Sequence, residues 1–446
     1  MIADRLLDVA DRLLGHVPDG AEGEASVVEG SESLTRFATG FIHQNMTDAV
    51  RRVSLRVALD SRVATASGSQ TDADALAALA RSAVEAARLR PVDPGWPGLA
   101  PRTEAPTVDH WDDATAVAEP AERAERVAAF IGAAGGLETA GFCASEGVAA
   151  AFANTVGQRL AGRSTSAALD GIARTSTSDG SGRAGSVRLT DLDGAVIGSE
   201  AARRARDSAD PSDLEPGAYE VVFDPQCVTN VLGFLALYGF NGRAVEEGRS
   251  FARLGERQFD ESLTLVDDAL DPISVGVGFD IEGTPKQRLE IVRDGVTAAL
   301  VHDRRTAKAL GAESTGHAIE GGAQFGALPA NLILRPGERG RDELVGSVER
   351  GVLVTDFWYT RILDPRTSVV TGLTRNGVWL IEDGKVSRPL SNLRFTQSYH
   401  EALAPGAVRG VGSDLTLVPG AIFGVGAYAV PSLHLASWNF TGGARG

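Results

Sequence analysis

Seven histidines, two cysteines and a few adjacent carboxylates are the residues of this 446-residue sequence that are able to bind a metal or transfer a proton. No two histidines are close enough in sequence to form a helical zinc-binding pair of the HExxH type. Each one is therefore interpreted first as a packed or surface residue. The histidines are His16, His43, His110, His302, His317, His400 and His434.

The adjacent carboxylates and the cysteines give no stronger signal. Asp267–Asp268 and Glu246–Glu247 are neighbours in sequence and point to different faces, so we interpret them as charge in a turn or on a helix surface. Cys143 and Cys227 lie far apart and cannot form a disulfide framework or a cysteine-based zinc site. The sequence also lacks a GxxxxGK[ST] phosphate loop and a GxSxG nucleophile elbow. The residues alone therefore indicate no active site.

Composition restricts the class of protein. The chain has 59 acidic and 43 basic residues and a formal net charge of -16, which disfavours binding to nucleic acid or to an anionic membrane. Its first residues carry acids where a signal peptide needs a basic run, and no stretch approaches the roughly 20 apolar residues of a membrane span. We therefore expect a cytoplasmic protein, and its length predicts at least two domains.

The first half of the chain contains signals for both helices and strands. Apolar residues at helical spacing predict a first helix over residues 2–16, and strict alternation predicts a strand over residues 53–59. An Ala-rich segment with Thr71 and Asp72 as N-caps predicts a helix that ends near Arg90. Further helices are expected near residues 118–132 and 199–210.

A Pro-containing loop after the last of these helices predicts the main domain boundary. We expect an N-terminal domain of antiparallel strands and Ala-rich helices over residues 1–213, and a strand-rich antiparallel domain over residues 214–446. The Gly- and Ser-rich segment SDGSGRAG, residues 178–185, predicts an exposed turn. The fold class that follows from this arrangement is α+β.

The second half combines many short strands with tight turns. Asp294–Gly295 suits a two-residue hairpin loop, and RNG at 375–377 and EDG at 382–384 also predict tight turns. Helices are expected at residues 226–239 and 306–311.

Several segments, taken in order, are similar to those of one known family. They are LTRFATGFIHQN (34–45), NGRAVEEGRSFARLGERQFDESLTLVDD (241–268), FDIEGTPKQRLEIVRDGVTAALVHDRRTAKALGAESTGHA (279–318), PANLILRPG (329–337) and PSLHLASWNFTG (431–442). In order and spacing they resemble the TldD/PmbA peptidase family over nearly the whole chain. The resemblance implies an α+β fold and a link to zinc-dependent proteolysis.

The zinc motif of that family is absent. The resemblance implies that the TldD branch carries HExxxH on the helix just before the NGRAVEEGRSF segment, and a further cysteine ligand near the C-terminus. Here Gly233 and Phe234 stand at the His-Glu positions and Tyr238 at the second histidine. No histidine occurs between residues 225 and 249, and no cysteine follows Leu415. The chain therefore resembles the metal-free PmbA/TldE branch.

The resemblance to this branch implies a function shared with another subunit. We expect a non-catalytic subunit of a heteromeric zinc peptidase that acts on small, precursor or unfolded peptides. No catalytic residue and no metal are expected in this chain, and a TldD-like partner with HExxxH would hold the zinc. We also expect a peptide-facing loop at Ser314, Thr315, Gly316 and His317, because extended peptides bind by adding a strand to a sheet edge.

Two other functions remain open. The chain could be a stand-alone binding or regulatory protein, which as an isolated chain could form a homodimer. It could instead be a hydrolase with a site of its own, built from His302, His317 and a carboxylate.

Overall fold

The computed structural model describes residues 2–422 and 425–443. The α-helices among them are α1 (Ile2–Leu14), α2 (Ala73–Leu89), α3 (Asp113–Ala116), α4 (Pro120–Ala133), α5 (Gly194–Asp207), α6 (Pro225–Tyr238), α7 (Gly242–Glu246), α8 (Arg304–Leu310), α9 (Gly322–Phe325), α10 (Arg341–Gly346) and α11 (Tyr399–Ala402). A 3₁₀ helix spans Leu189–Asp191. The six longer helices that the sequence predicts are confirmed as α1, α2, α4, α5, α6 and α8.

The strands belong to three sheets. The first sheet contains β1 (Glu22–Ala38), β2 (Phe41–Leu59), β3 (Arg62–Gly68), β4 (Glu138–Asn154), β5 (Arg159–Arg174) and β6 (Asp179–Ser186). The strands of the other two sheets are β7 (Gly217–Phe223), β8 (Leu265–Asp267), β9 (Leu289–Arg293), β10 (Val296–Thr297), β11 (Leu332–Leu334), β12 (Arg350–Asp364), β13 (Val369–Glu382), β14 (Lys385–Pro389), β15 (Leu393–Ser398), β16 (Val408–Val411), β17 (Thr416–Ile422), β18 (Val425–Val430) and β19 (Leu433–Gly443).

The first sheet is antiparallel, in the order β3-β2-β1-β4-β5-β6. Helices α1 and α2 pack on it through one apolar cluster, and α4 and α5 pack on it through another. The carboxylate of Asp72 accepts a hydrogen bond from the backbone N–H of Ala75, which confirms the predicted N-cap of α2. The predicted strand over residues 53–59 is the end of β2, which begins much earlier, at Phe41.

The predicted turn at SDGSGRAG is wrong, because these residues form β6 at the edge of the first sheet. Helix α5 packs directly on this strand. A Cβ at Gly180 would lie 2.2 Å from the backbone nitrogen of Ala205, and one at Gly182 would lie 2.1 Å from the carbonyl oxygen of Ile197. The glycines are therefore needed for close helix–strand packing rather than for a turn.

The rest of the chain forms two further sheets. One has the order β10-β9-β8-β11-β18-β17. In the other, β12, β7, β19, β15 and β13 pair in turn, and β13 pairs again with β12, so that these five strands form a closed ring. Most of the pairs are antiparallel, whereas β7–β12 and β11–β18 are parallel. Helices combined with mainly antiparallel sheets confirm the α+β class.

The predicted tight turns have different outcomes. Asp294–Gly295 joins β9 to β10 with positive φ at both residues, and Asp383–Gly384 joins β13 to β14 in the same way, so these two are confirmed. The turn at Arg375–Gly377 is wrong, because these residues lie within β13. There the pairing with β12 shifts register, and Asn376 at φ 59° donates a side-chain hydrogen bond to Asp356.

The two parts of the chain meet through polar contacts and through one apolar cluster that includes Phe152 and Phe279. We define the seam as the contacts between residues 2–210 and residues 211–443. Across it, Arg183 lies 2.8 Å from Asp356, Arg204 lies 2.8 Å from Asp224, and the side chain of Gln158 donates to the carbonyl of Gly283. The predicted boundary at residues 213 and 214 lies between α5 and β7. None of the described helices is both long and apolar enough to cross a bilayer.

Candidate functional site

Helix α6 carries Gly233, Phe234 and Tyr238, the positions that the sequence resemblance predicts to correspond to the zinc motif. It begins after Asp224, with Pro225 in its first turn, and it packs against β12, β17 and β18. Gly233 is buried, whereas Phe234 and Tyr238 are partly buried. The helix is thus one wall of the core formed by the second part of the chain.

One face of α6 is built from aromatic packing. Asn230, Phe234 and Tyr238 are four residues apart and therefore share this face. The rings of Phe234 and Tyr238 are stacked with centroids 6.2 Å apart, and Phe234 meets Tyr399 edge-on at 5.8 Å. The hydroxyl of Tyr399 donates to Asn230 Oδ1 at 3.0 Å.

These residues do not fit a zinc ion. Zinc needs three or four nitrogen, sulfur or carboxylate ligands, whereas the motif positions here supply a glycine, a phenylalanine and a tyrosine. Cys227, on the same helix, is fully buried, and burial raises the pKa of its thiol well above the ordinary value. Its Sγ lies 3.6 Å from the carbonyl oxygen of Val354. Within residues 2–422 and 425–443 no group of three His, Cys, Asp or Glu side chains is arranged to hold a metal.

The predicted peptide-facing loop lies against the core. Ser314 is partly exposed, but Thr315, Gly316 and His317 are buried. Gly316 has φ 76°, and a Cβ there would lie 2.4 Å from the carbonyl oxygen of Pro285. The backbone N–H of Thr315 donates to the carbonyl of His302. A peptide therefore has access mainly to Ser314, and peptide binding by this segment stays a prediction.

His317 and Asp267 form a buried pair. Nε2 of His317 lies 2.9 Å from Oδ1 of Asp267, and both side chains are fully buried. The two atoms are close, but their geometry is not that of an aligned hydrogen bond. Burial favours a higher pKa for Asp267, but His317, Lys286 and the backbone N–H of Asn331 outweigh it and lower this pKa. The interpretation of Asp267 as turn or surface charge is therefore wrong.

His302 lies beside this pair. Its backbone N–H donates to Thr315 Oγ1 at 2.8 Å, and the same hydroxyl lies 2.9 Å from His317 Nδ1. Burial, reinforced by His317, lowers the pKa of His302, although Asp303 opposes the change. The structure thus brings together the two histidines and the carboxylate of the hydrolase alternative. The other acidic pair behaves as predicted, because Glu247 contacts Arg243 and Arg249 at the surface.

A charged cavity at the seam is the feature that sequence reasoning missed. Its volume is about 290 Å³, and it lies between β5, β6 and α5 on one side and the start of α6 on the other. Arg183, Arg204 and Arg341 line it together with four carboxylates. The ion-pair partners are up to 173 residues apart in sequence, so no local pattern could have identified them.

Comparison with known proteins gives consistent results. Residues 216–442 match the family model described as the PmbA/TldA metallopeptidase C-terminal domain. A "Metalloprotease" of Methanothermobacter thermautotrophicus is 29% identical over 231 residues, which are 50% of this chain and 48% of that protein. A "Metalloprotease TldD homolog" of Buchnera aphidicola is 25% identical over 190 residues, which are 41% of this chain and 38% of that protein. The chain thus spans half or less of the length of these curated relatives.

Two solved structures share the fold over nearly the full length. TldE from Thermococcus kodakarensis aligns with a TM-score of 0.87 at 18% identity, covering 98% of this chain and 99% of that one. A protein from Thermotoga maritima described as a modulator of DNA gyrase aligns with a TM-score of 0.84 at 18% identity, with the same coverage. Because the family model matches half of the sequence, this chain belongs to the PmbA/TldD metallopeptidase family.

Proposed function

We propose that this protein is a metal-free subunit of a peptidase and that it pairs in the cytoplasm with a TldD-like relative that holds zinc in an HExxxH motif. The observation that supports the proposal is the face of α6, where Phe234 packs against Tyr238 and Tyr399 at the positions that the sequence resemblance assigns to the zinc motif. In the partner, zinc would lower the pKa of a bound water so that the water attacks the peptide. This chain would contribute peptide contacts and part of the chamber wall.

The outer edge of β2 is the surface that we propose for the partner. Residues 41–52 pair with β1 on one side only, and β3 covers β2 only from Val53 onward. Phe41, Ile42 and Met46 are 58%, 37% and 38% exposed along this edge. The segment contains neither Pro nor Lys, which commonly protect free edges. An unpaired edge of this length that exposes three apolar side chains favours a partner that covers it.

The likeness to solved structures supports the proposal through the fold alone. One of these structures is titled TldE, the name that the resemblance gives to the metal-free branch. The curated relatives are named metalloproteases, which is the activity that we assign to the partner. A stand-alone regulatory protein that contacts DNA directly has less support, because the net charge of -16 disfavours such contact.

Reconstitution with a partner tests this function. The chain would be purified alone and together with an HExxxH-containing homologue, and cleavage of an unfolded peptide would be measured for each protein and for the mixture. We expect activity only in the mixture, and loss of that activity when the glutamate of the partner's motif is changed to glutamine. Cleavage by this chain alone, or equal cleavage by the partner with and without it, would contradict the proposal.

A pair of surface variants tests the interface. Ile42→Lys places a charge on the proposed edge, and we expect it to weaken co-purification with the partner about tenfold or more. Val386→Lys is the matched control, because Val386 is 47% exposed on β14, outside that edge. Equal retention of the partner by both variants would exclude β2 as the docking surface.

A hydrolase with its own site is the second candidate. The hydroxyl of Thr315 contacts the imidazole of His317, which in turn contacts the carboxylate of Asp267, the arrangement of a catalytic triad. The hydroxyl of Thr315 is also bonded to the backbone N–H of His302, and Thr315 is only 8% exposed. These contacts favour a structural role. Any peptidase or esterase activity of the purified chain that is lost in Thr315→Val would support this candidate instead.

A further inference from the structure

The charged cavity at the seam is built differently from the rest of the interior. Its walls come from the first sheet, from α5, from the first turn of α6 and from the segment around Asp414 to Val418. At about 290 Å³ it is at the lower end of the range for ligand sites, which suits a molecule the size of one or two amino-acid residues. Neither the aromatic face of α6 nor the outer edge of β2 lines this space.

Carboxylates hold the arginines of the cavity in place. Asp224 accepts from Arg204 at 2.8 Å and from Arg341 at 2.6 Å. Arg183 is held between Asp170 and Asp356, each at 2.8 Å. These contacts use only part of each guanidinium, and Nη2 of both Arg183 and Arg341 has no hydrogen-bond partner among residues 2–422 and 425–443. Fixed guanidinium groups with free N–H donors are suited to binding a carboxylate.

The net charge of the lining limits what it can bind. Three arginines face four carboxylates, namely Asp170, Glu200, Asp224 and Asp414. Because the two signs nearly cancel, neither a bare anion nor a bare cation gains much from the cavity as a whole. Oδ1 of Asp170 has no hydrogen-bond partner in the described part of the chain, and this side chain is 35% exposed. It therefore offers an acceptor for a ligand cation.

The same cavity has an apolar wall. Phe142, Leu169, Leu417 and Val418 line it alongside the charged groups. A ligand that satisfies both kinds of wall carries a positive group, a negative group and an apolar side chain. This combination excludes phosphates and simple carboxylic acids as the best-matched ligands.

We propose that the cavity binds a small zwitterion with an aliphatic side chain, of the class of a free α-amino acid or a dipeptide. Its carboxylate lies against Arg183 and Arg341, its ammonium group against Asp170, and its side chain against Leu169 and Leu417. The proposal requires no metal and no partner subunit. Its outcome is therefore independent of the proposed role in a peptidase.

Calorimetric titration of the purified chain with leucine and with alanyl-leucine tests this inference. We expect one site per chain and a dissociation constant on the order of 1 mM or tighter for at least one of them. N-acetyl-leucine lacks the ammonium group and leucinamide lacks the carboxylate, so both should bind about tenfold or more weakly. Absence of binding by both zwitterions at about 20 mM, or equal binding of the blocked compounds, would overturn the proposal.

Variants locate the binding. Ala168→Leu fills the cavity without removing a charge and should weaken binding about tenfold or more. Ala161→Leu makes the same change at an exposed position of β5 and should leave binding unchanged. Arg341→Gln removes one donor to the ligand carboxylate. It should weaken the binding of leucine and alanyl-leucine more than the binding of leucinamide. Circular dichroism confirms that each variant is folded, and unchanged binding by folded Ala168→Leu would place the ligand elsewhere and contradict the assignment.

Discussion

The seam and the aromatic face of α6 differ in what they bury. At the seam the chain buries charges, and Asp224, at the start of α6, contacts two arginines while its side chain is 3% exposed. About three to four turns later, the same helix presents Phe234 and Tyr238, whose rings stack on each other. One helix therefore takes part in an ionic network at its first turn and in apolar packing at its end.

The comparison shows that buried charged groups lie at the seam and not on the aromatic face of α6. Ionic groups connect the first sheet to the rest of the molecule, whereas aromatic rings pack on the face of α6 where the sequence resemblance predicts the zinc motif to lie. A metal site needs several ligands that converge on one point, and no such group of His, Cys, Asp or Glu side chains occurs on α6 or elsewhere in the described part of the chain. The peptide cleavage that we propose therefore depends on a second subunit. The seam connects the two parts of this chain and contains a cavity.

The largest effect is expected from removal of the carboxylate at the seam. Asp224→Ala leaves Arg204 and Arg341 without their common partner, and we expect a loss of about 4 kcal/mol in the free energy of unfolding. This loss is near the middle of the range for breaking a buried ion pair, because the side chains of Arg204 and Arg341 remain 18% and 24% exposed. Urea unfolding measures it. Asp342→Ala is the control, since Asp342 is 96% exposed, and a similar loss in both variants would show that the ionic network contributes little.

A pH-dependent effect is expected at the other end of the seam. Burial, with repulsion from Glu282, raises the pKa of Glu24 from 4.5 to about 7, although its contact with Arg56 acts in the opposite direction. The folded state then holds a proton that the unfolded state has lost, so stability falls as the pH rises from about 4.5 through about 7.

Glu24→Gln removes this titration. Relative to the wild type, the variant should gain about 3 kcal/mol in the free energy of unfolding between pH 4 and pH 8, because each pKa unit is worth about 1.4 kcal/mol. Asp280, whose pKa burial raises to about 6, titrates in both proteins and largely cancels from the difference. Parallel pH profiles for the two proteins would mean that Glu24 titrates normally.

A smaller effect is expected at the aromatic face. Phe234→Ala removes a half-buried ring that contacts Tyr238 and Tyr399, and we expect a loss of about 2 kcal/mol. Thermal unfolding by circular dichroism measures the change. Phe41→Ala, which removes a ring that is 58% exposed on β2, is the control and should change stability by less than about 0.5 kcal/mol. If Phe234→Ala has the same stability as the wild type, the packing of this ring does not stabilise the face of α6.

Sequence patterns predicted the elements whose signals are local. Helix α2 follows from its Ala-rich stripe and Asp72, and the loop at Asp294–Gly295 follows from its two residue types. The prediction of a turn around Gly180 was wrong because the glycines of this segment make room for α5, which packs on it. The candidate site divides in the same way. The absence of HExxxH from the segment that forms α6 is visible in the sequence, but the pairing of Asp267 with His317 and the seam cavity depend on distant residues.

Zinc content and peptide cleavage of the isolated chain test the central claim most directly. The protein would be purified without chelator, incubated with equimolar zinc and desalted, and its metal would be counted by mass spectrometry beside a cleavage assay. We expect less than about 0.1 zinc per chain and no cleavage until the zinc-carrying homologue is added. About one zinc per chain, with cleavage that disappears on chelation, would contradict it.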